Sequence, residues 1–358
     1  MSSIRVLGLT KRFGVVAAAY EVSFDVPSGG TIALLGPEGC GKSTILRCLA
    51  GLETPDFGLI EIDGEPVFDR SRAIDVAPER RSLGCVFQTY AVWPHMSVAD
   101  NVAFPLKVRG MPKAERLERA SAMLELVGLK GFEERSARLV SGGQQQRIAL
   151  ARALIHDPRL VLFDEALSNL DTGPRQQMRV ELRALQERLG FTAIYVTDDH
   201  AEAFGLADRI ILMNQGAIET IGTPREVFLH PRSAFAARFF GMNVLEGRLL
   251  GPAADARYLE VELSARLVVR GVAAPDHDLP EGGRVLACIR KDAVRMFRPR
   301  AGEEAAGTIV AASFLGSGEE YIVDIAGVRI ETGGQLSGLT KGDKVHVTMT
   351  PDEWVFVR

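Results

Sequence analysis

Residues 36–44 read Gly-Pro-Glu-Gly-Cys-Gly-Lys-Ser-Thr, between an apolar run from Thr31 to Leu35 and a helical run from Ile45 to Ala50. This is the spacing of a phosphate loop: glycines at Gly36, Gly39 and Gly41 let backbone N–H groups close around a polyphosphate. Pro37, Glu38, Cys40 and Thr44 complete the loop. Lys42 can reach the β- and γ-phosphates, the Ser43 hydroxyl can bind Mg²⁺, and the helix that follows turns its positive end to the anion. The pattern implies a bound nucleoside triphosphate.

Two further segments carry groups of matching chemistry. Leu160-Val-Leu-Phe-Asp-Glu165 is an apolar strand ending in two carboxylates. Asp164 stands where an aspartate would hold Mg²⁺, and Glu165 where a glutamate would activate water. Standing alone, it would read as an acidic strand end facing solvent. In Val140-Ser-Gly-Gly-Gln-Gln-Gln-Arg147, the serine and two glycines open a helix. Ser141, Gly142, Gly143 and Gln144 therefore form a second cluster of donors suited to phosphate, or else an ordinary helix cap.

These residues need a scaffold that brings strand ends together. The first 35 residues alternate short β-type runs (Ile4 to Leu9, Val22 to Val26, Thr31 to Leu35) with turn signals such as Pro27-Ser-Gly-Gly30. Gly58 to Gly64 reads as a strand ending in a turn. Residues 97–157 read mainly as helix, with apolar positions at helical spacing from Lys113 to Val127 and a stop at Gly128. Leu160 to Phe163 and Ala193 to Val196 are β-rich runs followed by helical sequence. Strand–helix alternation around a phosphate loop predicts a mostly parallel α/β sheet. Beyond a boundary at Arg238 to Asn243 the chain turns to short β-type runs, the pattern of a small barrel or sandwich.

At 358 residues, two or three domains are expected. A net charge of −4 argues against a general nucleic-acid binder. No stretch approaches the roughly 18 apolar residues of a membrane span, and Met-Ser-Ser-Ile-Arg lacks the apolar core of a signal peptide. Cys40, Cys48, Cys85 and Cys288 have no CxxC spacing, which points away from zinc and disulfides and toward a reduced cytoplasm.

Taken together, the motifs resemble those of the ATP-binding cassette (ABC) ATPases, and the resemblance covers the whole chain. Val140 to Gln144 looks like the family signature, with valine for leucine at its first position. Gln88, in Val86-Phe-Gln-Thr-Tyr-Ala-Val-Trp-Pro-His95, matches the glutamine that touches Mg²⁺ and couples to membrane subunits. Ser168-Asn-Leu-Asp171 matches the D-loop with Asp171, and Phe13 the aromatic that stacks on adenine. The resemblance implies a P-loop ABC domain over residues 1–240 with a nested helical subdomain at about 89–157. ATP and Mg²⁺ would be its cofactors.

It also implies a head-to-tail homodimer, or a pair with another ATPase, in which Ser141 to Gln144 meets the ATP of the opposite subunit. Two separate anion sites in one chain give that arrangement a physical reason: two sandwiched ATPs would satisfy both. Permease subunits and, through them, a solute-binding protein would be partners, with the chain peripheral on the cytoplasmic face of the inner membrane. Gly307-Thr-Ile-Val310, Phe314-Leu-Gly-Ser317, Tyr321-Ile-Val-Asp324 and Lys341-Gly-Asp-Lys-Val345 resemble the TOBE domain of bacterial importer ATPases, an all-β, OB-like barrel placed at 241–358. Gln88 to His95 and Ile221-Gly-Thr-Pro-Arg225 look closest to the ferric iron and polyamine group.

The chain departs from the family after its last core strand. Where the family has Thr-His-Asp, this chain has Thr197-Asp-Asp-His200, so Asp198 takes the place of a histidine that contacts the γ-phosphate. His200 comes two residues later, about 200° around a helix, and is expected to point elsewhere as a surface or capping residue. A carboxylate beside a γ-phosphate removes a donor and adds repulsion. Two such charges about 4 Å apart cost on the order of 4 kcal/mol at an effective dielectric near 20, and a lost transition-state donor costs about a hundredfold to a thousandfold in rate. Glu38 departs too, from a serine near the γ-phosphate, and either faces that phosphate or points into solvent. Ala166 replaces a proline. Two functions follow: an importer ATPase whose hydrolysis Asp198 slows, or a low-turnover ATP-binding regulatory or structural subunit paired with another ATPase. A soluble relative acting on nucleic acid is disfavoured by charge and by the β-domain.

Overall fold

The computed structural model describes residues 4–275, 277, 279–299, 306–316, 318–333 and 336–358. Ser317 of the Phe314 to Ser317 segment and the first three residues lie outside the described residues. The chain divides into two compact units, 1–224 and 225–358.

The first unit holds two sheets. One is antiparallel, in the order β2-β1-β4-β5-β6, from β1 (Ile4–Phe13), β2 (Val16–Val26), β4 (Phe57–Ile62), β5 (Glu65–Asp69) and β6 (Ile74–Asp75). The other takes β3 (Thr31–Leu35), β7 (Leu83–Val86), β8 (Leu160–Asp164), β9 (Thr192–Thr197), β10 (Arg209–Asn214) and β11 (Ala217–Gly222) in the order β11-β10-β3-β9-β8-β7. All its pairings are parallel except β10 with β11. Every residue of β3 and β9 is buried, which is why both read as unbroken apolar runs: a parallel strand covered on both faces has no wet side.

Helices α1 (Lys42–Ala50), α2 (Val98–Val108), α3 (Lys113–Leu126), α4 (Gly142–Leu154), α5 (Thr172–Leu189) and α6 (His200–Leu206) complete the unit. Residues 127–141 separate α3 from α4 as a connection, so the 97–157 segment is less continuously helical than its periodicity predicts. Local signals set the boundaries. The α1 helix stops at left-handed Gly51 and α5 at left-handed Gly190. Ser97 caps α2, and Ser141 with Gln144 forms a capping box on α4. Packing of α1 against β3, β8, β9 and the antiparallel sheet makes one apolar core that includes Ile45, Leu49, Leu34, Leu162, Val196 and Phe24.

The second unit begins before the expected boundary, because two short helices, α7 (Pro224–Leu229) and α8 (Ala234–Phe239), precede its strands. Strands β12 (Asn243–Pro252), β13 (Leu259–Ser264), β14 (Leu267–Ala273), β15 (Arg284–Ile289) and, from the far end of the chain, β21 (Trp354–Val357) close a barrel. Strands β16 (Arg295–Phe297), β17 (Gly307–Phe314), β18 (Glu319–Ile325), β19 (Val328–Gly333) and β20 (Lys344–Thr348) form a second sheet in the order β16-β20-β17-β18-β19. The small barrel or sandwich expected from sequence is present as a closed barrel, with a second sheet that shares a core with it around Trp354, Phe356, Tyr321 and Ile289.

Candidate nucleotide site

The phosphate loop leaves the carboxyl end of β3, a central strand of the parallel sheet, which is where such sheets bind ligands. Its shape requires glycine. Gly41 sits at φ 104°, and a Cβ there would lie 1.8 Å from the Ala18 carbonyl oxygen. Lys42 opens α1 and is 4% exposed; its Nζ donates to the carbonyls of Gly36 at 2.8 Å and Pro37 at 2.9 Å. The ammonium is thereby held inside the curve of the loop. Burial pushes the Cys40 thiol up, opposed by the charge of Lys42. Glu38 and Gly39 are exposed, while Ser43 and Thr44 are half-buried.

Sheet register brings the other residues to this edge. Leu35 pairs with Thr197 and Asp164 with Val196, so the ends of β3, β8 and β9 stand side by side. Ser43 Oγ donates to Asp164 Oδ1 at 2.9 Å. Two hard oxygens at this separation fit neighbouring positions around an octahedral Mg²⁺, whose bonds of about 2.1 Å put adjacent ligands about 2.9 Å apart. No cluster of three or more His, Cys, Asp or Glu suited to a metal exists among the described residues. A cation here would rely on few protein ligands and on substrate phosphates, the usual habit of Mg²⁺.

Glu165 follows directly, at φ 48°, a strained conformation for a glutamate, with its N–H bonded to Val196 O at 3.0 Å. Its carboxyl titrates above the ordinary range. Burial is the main cause; Asp198 adds to it, Lys42 opposes, and Asp164 and Glu38 add further. Four carboxylates, those of Glu38, Asp164, Glu165 and Asp198, therefore share one electrostatic neighbourhood with Lys42. Asp198 is exposed, on the turn after β9. Gln88, expected beside a metal, donates through Nε2 to Glu165 Oε2 at 3.0 Å, and its carbonyl accepts from Asn169 at 2.7 Å.

The remaining sequence candidates stand on other elements, β1, α4, α5 and α6. Ser141 accepts the Gln144 N–H and Gln144 Oε1 accepts the Ser141 N–H at 2.9 Å. A Cβ on Gly142 or Gly143 would meet open space, so packing within the chain does not demand glycine there. No hydrogen bond joins this segment to the phosphate loop among the described residues. Phe13 ends β1 half-exposed, at 51%, with Lys11 Nζ 5.1 Å from its ring centroid. Asp171 is exposed at the start of α5. His200 is the first residue of α6 and half-buried; the cap is Asp199, whose Oδ1 accepts the Glu202 N–H at 3.0 Å. The capping expectation for His200 thus fails because its neighbour already fills that role.

Sequence reasoning missed Glu202 and Arg175. Glu202 is 3% exposed, accepts from Thr197 Oγ1 at 3.0 Å, and burial pushes its carboxyl up to about 7. The Asp199-His-Ala-Glu202 spacing, a helix-start signature, was the available signal.

A phosphate loop on the central strand of this sheet, with an acidic strand end beside it, defines a P-loop nucleotide-binding protein. Residues 20–168 match the family model described as ABC transporter. The chain is 39% identical to the sn-glycerol-3-phosphate import ATP-binding protein UgpC 1 of Rhizobium johnstonii, over 97% of this chain and 94% of that one. It is 44% identical to the Fe(3+) ions import ATP-binding protein FbpC 1 of Haemophilus influenzae (80% and 83%), and 38% identical to the spermidine/putrescine import ATP-binding protein PotA of Rubrobacter xylanophilus (99% and 91%). Among solved structures, the ATP-binding cassette MJ0796, dimeric in a post-hydrolysis state with ADP and Pi, matches with TM-score 0.54 and 30% identity over 62% of this chain and 99% of that one. The chain belongs to the ABC transporter family.

Proposed function

We propose that this chain is the ATP-hydrolysing, energy-coupling subunit of an ABC importer for ferric iron, a polyamine or a related small solute, with hydrolysis slowed by Asp198. The slowed rate is supported by the place of Asp198, exposed on the turn just after the β9 end whose Val196 carbonyl holds the Glu165 N–H at 3.0 Å, where its charge adds to the proton affinity of Glu165. The import role rests on relatives named as import ATP-binding subunits that align along nearly the whole chain.

In this reading Lys42 and the loop amides of residues 36–44 hold the phosphates, and Phe13 offers its exposed ring to the adenine. Ser43, Asp164 and Gln88 hold Mg²⁺, which neutralises phosphate charge when bound. Glu165, with its raised affinity for a proton, orients and deprotonates the attacking water. Asp198 supplies no donor to the γ-phosphate and repels it until a proton or cation intervenes. The open space over Gly142 and Gly143 suits close approach by the ATP of a second, opposed subunit, with Asp171 at the same interface.

Permease subunits are proposed to dock beside Gln88. The loop that follows is strained, with Tyr90 at φ 58° and Ala91 at φ 47°, and Arg152 holds both carbonyls at 2.8 and 2.7 Å. Arg152 also lies over Trp93, which packs on Phe104, beside the 71% exposed Val108. An apolar groove tied to a residue that touches Glu165 is a plain route from a docked helix to the site. No helix among the described residues is long and apolar enough to cross a membrane.

Light scattering with and without nucleotide tests the dimer: MgATP should double the mass and MgADP should not, whereas a constant mass sinks it. ATP-driven uptake into vesicles carrying the permease tests the solute. Uptake of neither ferric iron nor a polyamine would remove that part of the reading.

A further inference from the structure

Arg175 lies one turn into α5, and its guanidinium joins the turn that follows β8 to the turn that follows β9. Nη2 donates to the carbonyls of Ser168 at 3.0 Å and Leu170 at 2.8 Å. Nη1 donates to Asp199 Oδ2 at 3.2 Å. Each turn is bonded onward into the site. Ser168 Oγ donates to Glu165 O at 2.8 Å and its N–H to the same carbonyl at 3.1 Å. On the other side, the Asp199 N–H donates to Thr197 Oγ1 at 3.0 Å, and Thr197 donates to buried Glu202. Asp198 sits between Thr197 and Asp199, so its backbone is pinned at both ends.

Stability alone does not explain this arrangement. The ion pair is about 30% exposed on both sides, a setting in which such pairs contribute about 0–1 kcal/mol. A cation near the start of a helix opposes the helix dipole. Arg175 Nε is buried without a hydrogen-bond partner among the described residues, a further cost of about 1–3 kcal/mol. Lysine could not replace it, because three acceptors in three directions need a planar fork.

We propose that Arg175 is a positioning residue for hydrolysis: it locks the 168–170 turn, and through Ser168 the backbone of Glu165, to the turn after β9, and so holds Glu165 in place for the attacking water. Displacement of the 168–171 segment, at the proposed interface between subunits, is thereby transmitted to the turn that faces the γ-phosphate. The inference rests on the hydrolysis reading above.

Its test compares Arg175→Ala, Asp199→Asn and the double variant in steady-state ATPase assays on the full chain, with melting temperature followed in parallel. Asparagine caps a helix as well as aspartate does, so Asp199→Asn weakens the tie to Arg175 while α6 keeps its cap. Arg175→Ala should lower kcat about tenfold or more, since small misplacements at a reacting centre cost up to about a hundredfold, while KM changes less than about threefold. Asp199→Asn should reproduce most of that loss, and the double variant should be no slower than Arg175→Ala alone, as expected for coupled residues. An unchanged kcat, or losses that multiply, overturns the proposal.

Should the natural protein show no turnover, the hydrolysis reading fails by itself, and hydrogen exchange then judges the brace. Arg175→Ala must speed exchange in both 168–170 and 199–203; loosening of one segment alone refutes the link.

Discussion

In the first unit, polar groups are buried under strain; in the second they are buried satisfied. Among the described residues, every non-glycine with positive φ except Ala326 belongs to the first unit, including Glu165, Tyr90 and Ala91. The buried polar atoms left without a partner, such as Arg175 Nε, Gln146 Oε1 and the Tyr90 hydroxyl, belong there too. In the second unit, buried Asn243 donates to Glu331 O at 2.8 Å and accepts from Glu331 N at 2.7 Å, and buried Thr332 donates to Val294 O at 2.6 Å. Backbone strain and unsatisfied polar atoms cost free energy and gather where a structure must bind and change partners. The contrast places the strained and unpartnered groups in the unit that carries the phosphate loop.

A core truncation in the second unit should have the greatest consequence. Trp354 is 1% exposed at the centre of its core. Trp354→Ala should cost about 3–5 kcal/mol of that unit's stability, read by calorimetry, while ATP affinity stays within about twofold. A matching loss of ATP affinity would mean that the units do not divide their roles.

Next comes Glu202, the buried carboxyl of the first unit. Burial raises it from 4.5 to about 7; Thr197 and Arg175 pull it down, and Asp199 and Asp198 push it up. Tyr195, buried beside it, feels the same charge. Because the folded state keeps a proton that the unfolded chain releases, stability falls as pH rises from about 4.5 to about 7. At roughly 1.4 kcal/mol per unit, the loss reaches about 3 kcal/mol. Glu202→Gln should therefore raise the melting temperature at pH 8 more than at pH 5; equal shifts at both would contradict this.

The smallest effect sharpens the comparison within the first unit. Gly142→Ala places a methyl in open space at the start of α4 and should stabilise the single chain by roughly 0.5 kcal/mol. The same methyl should weaken ATP-dependent dimerisation about tenfold or more. Opposite signs in the two assays mark a residue kept for an interface; a neutral result in both would leave Gly142 without that role.

Much of this was legible in the chain because the informative signals were local. The phosphate loop, the apolar strands β3, β8 and β9, and the serine opening α4 each announce themselves within a few residues. The second unit was less legible, since β14 meets β21 only at its end, Val272 with Val355 and Ala273 with Phe356, residues far apart in the chain, and no local pattern encodes such a closure. Asp198 was visible as a departure from a pattern, yet its influence on Glu165 depends on the register of β8 with β9. Arg175 was invisible, as one arginine among several on a polar helix, because its meaning lies in two carbonyls and a carboxylate that only the fold assembles.

In the proposed mechanism Asp198 restrains hydrolysis without preventing ATP binding. The most direct measurement is the steady-state Mg-ATPase rate of the natural protein beside Asp198→His, at concentrations that support dimers, with ATP affinity measured separately. Similar affinity is expected for both, with a rate about tenfold or more higher for the histidine variant. Brisk turnover by the natural protein, with no gain from histidine, would contradict it.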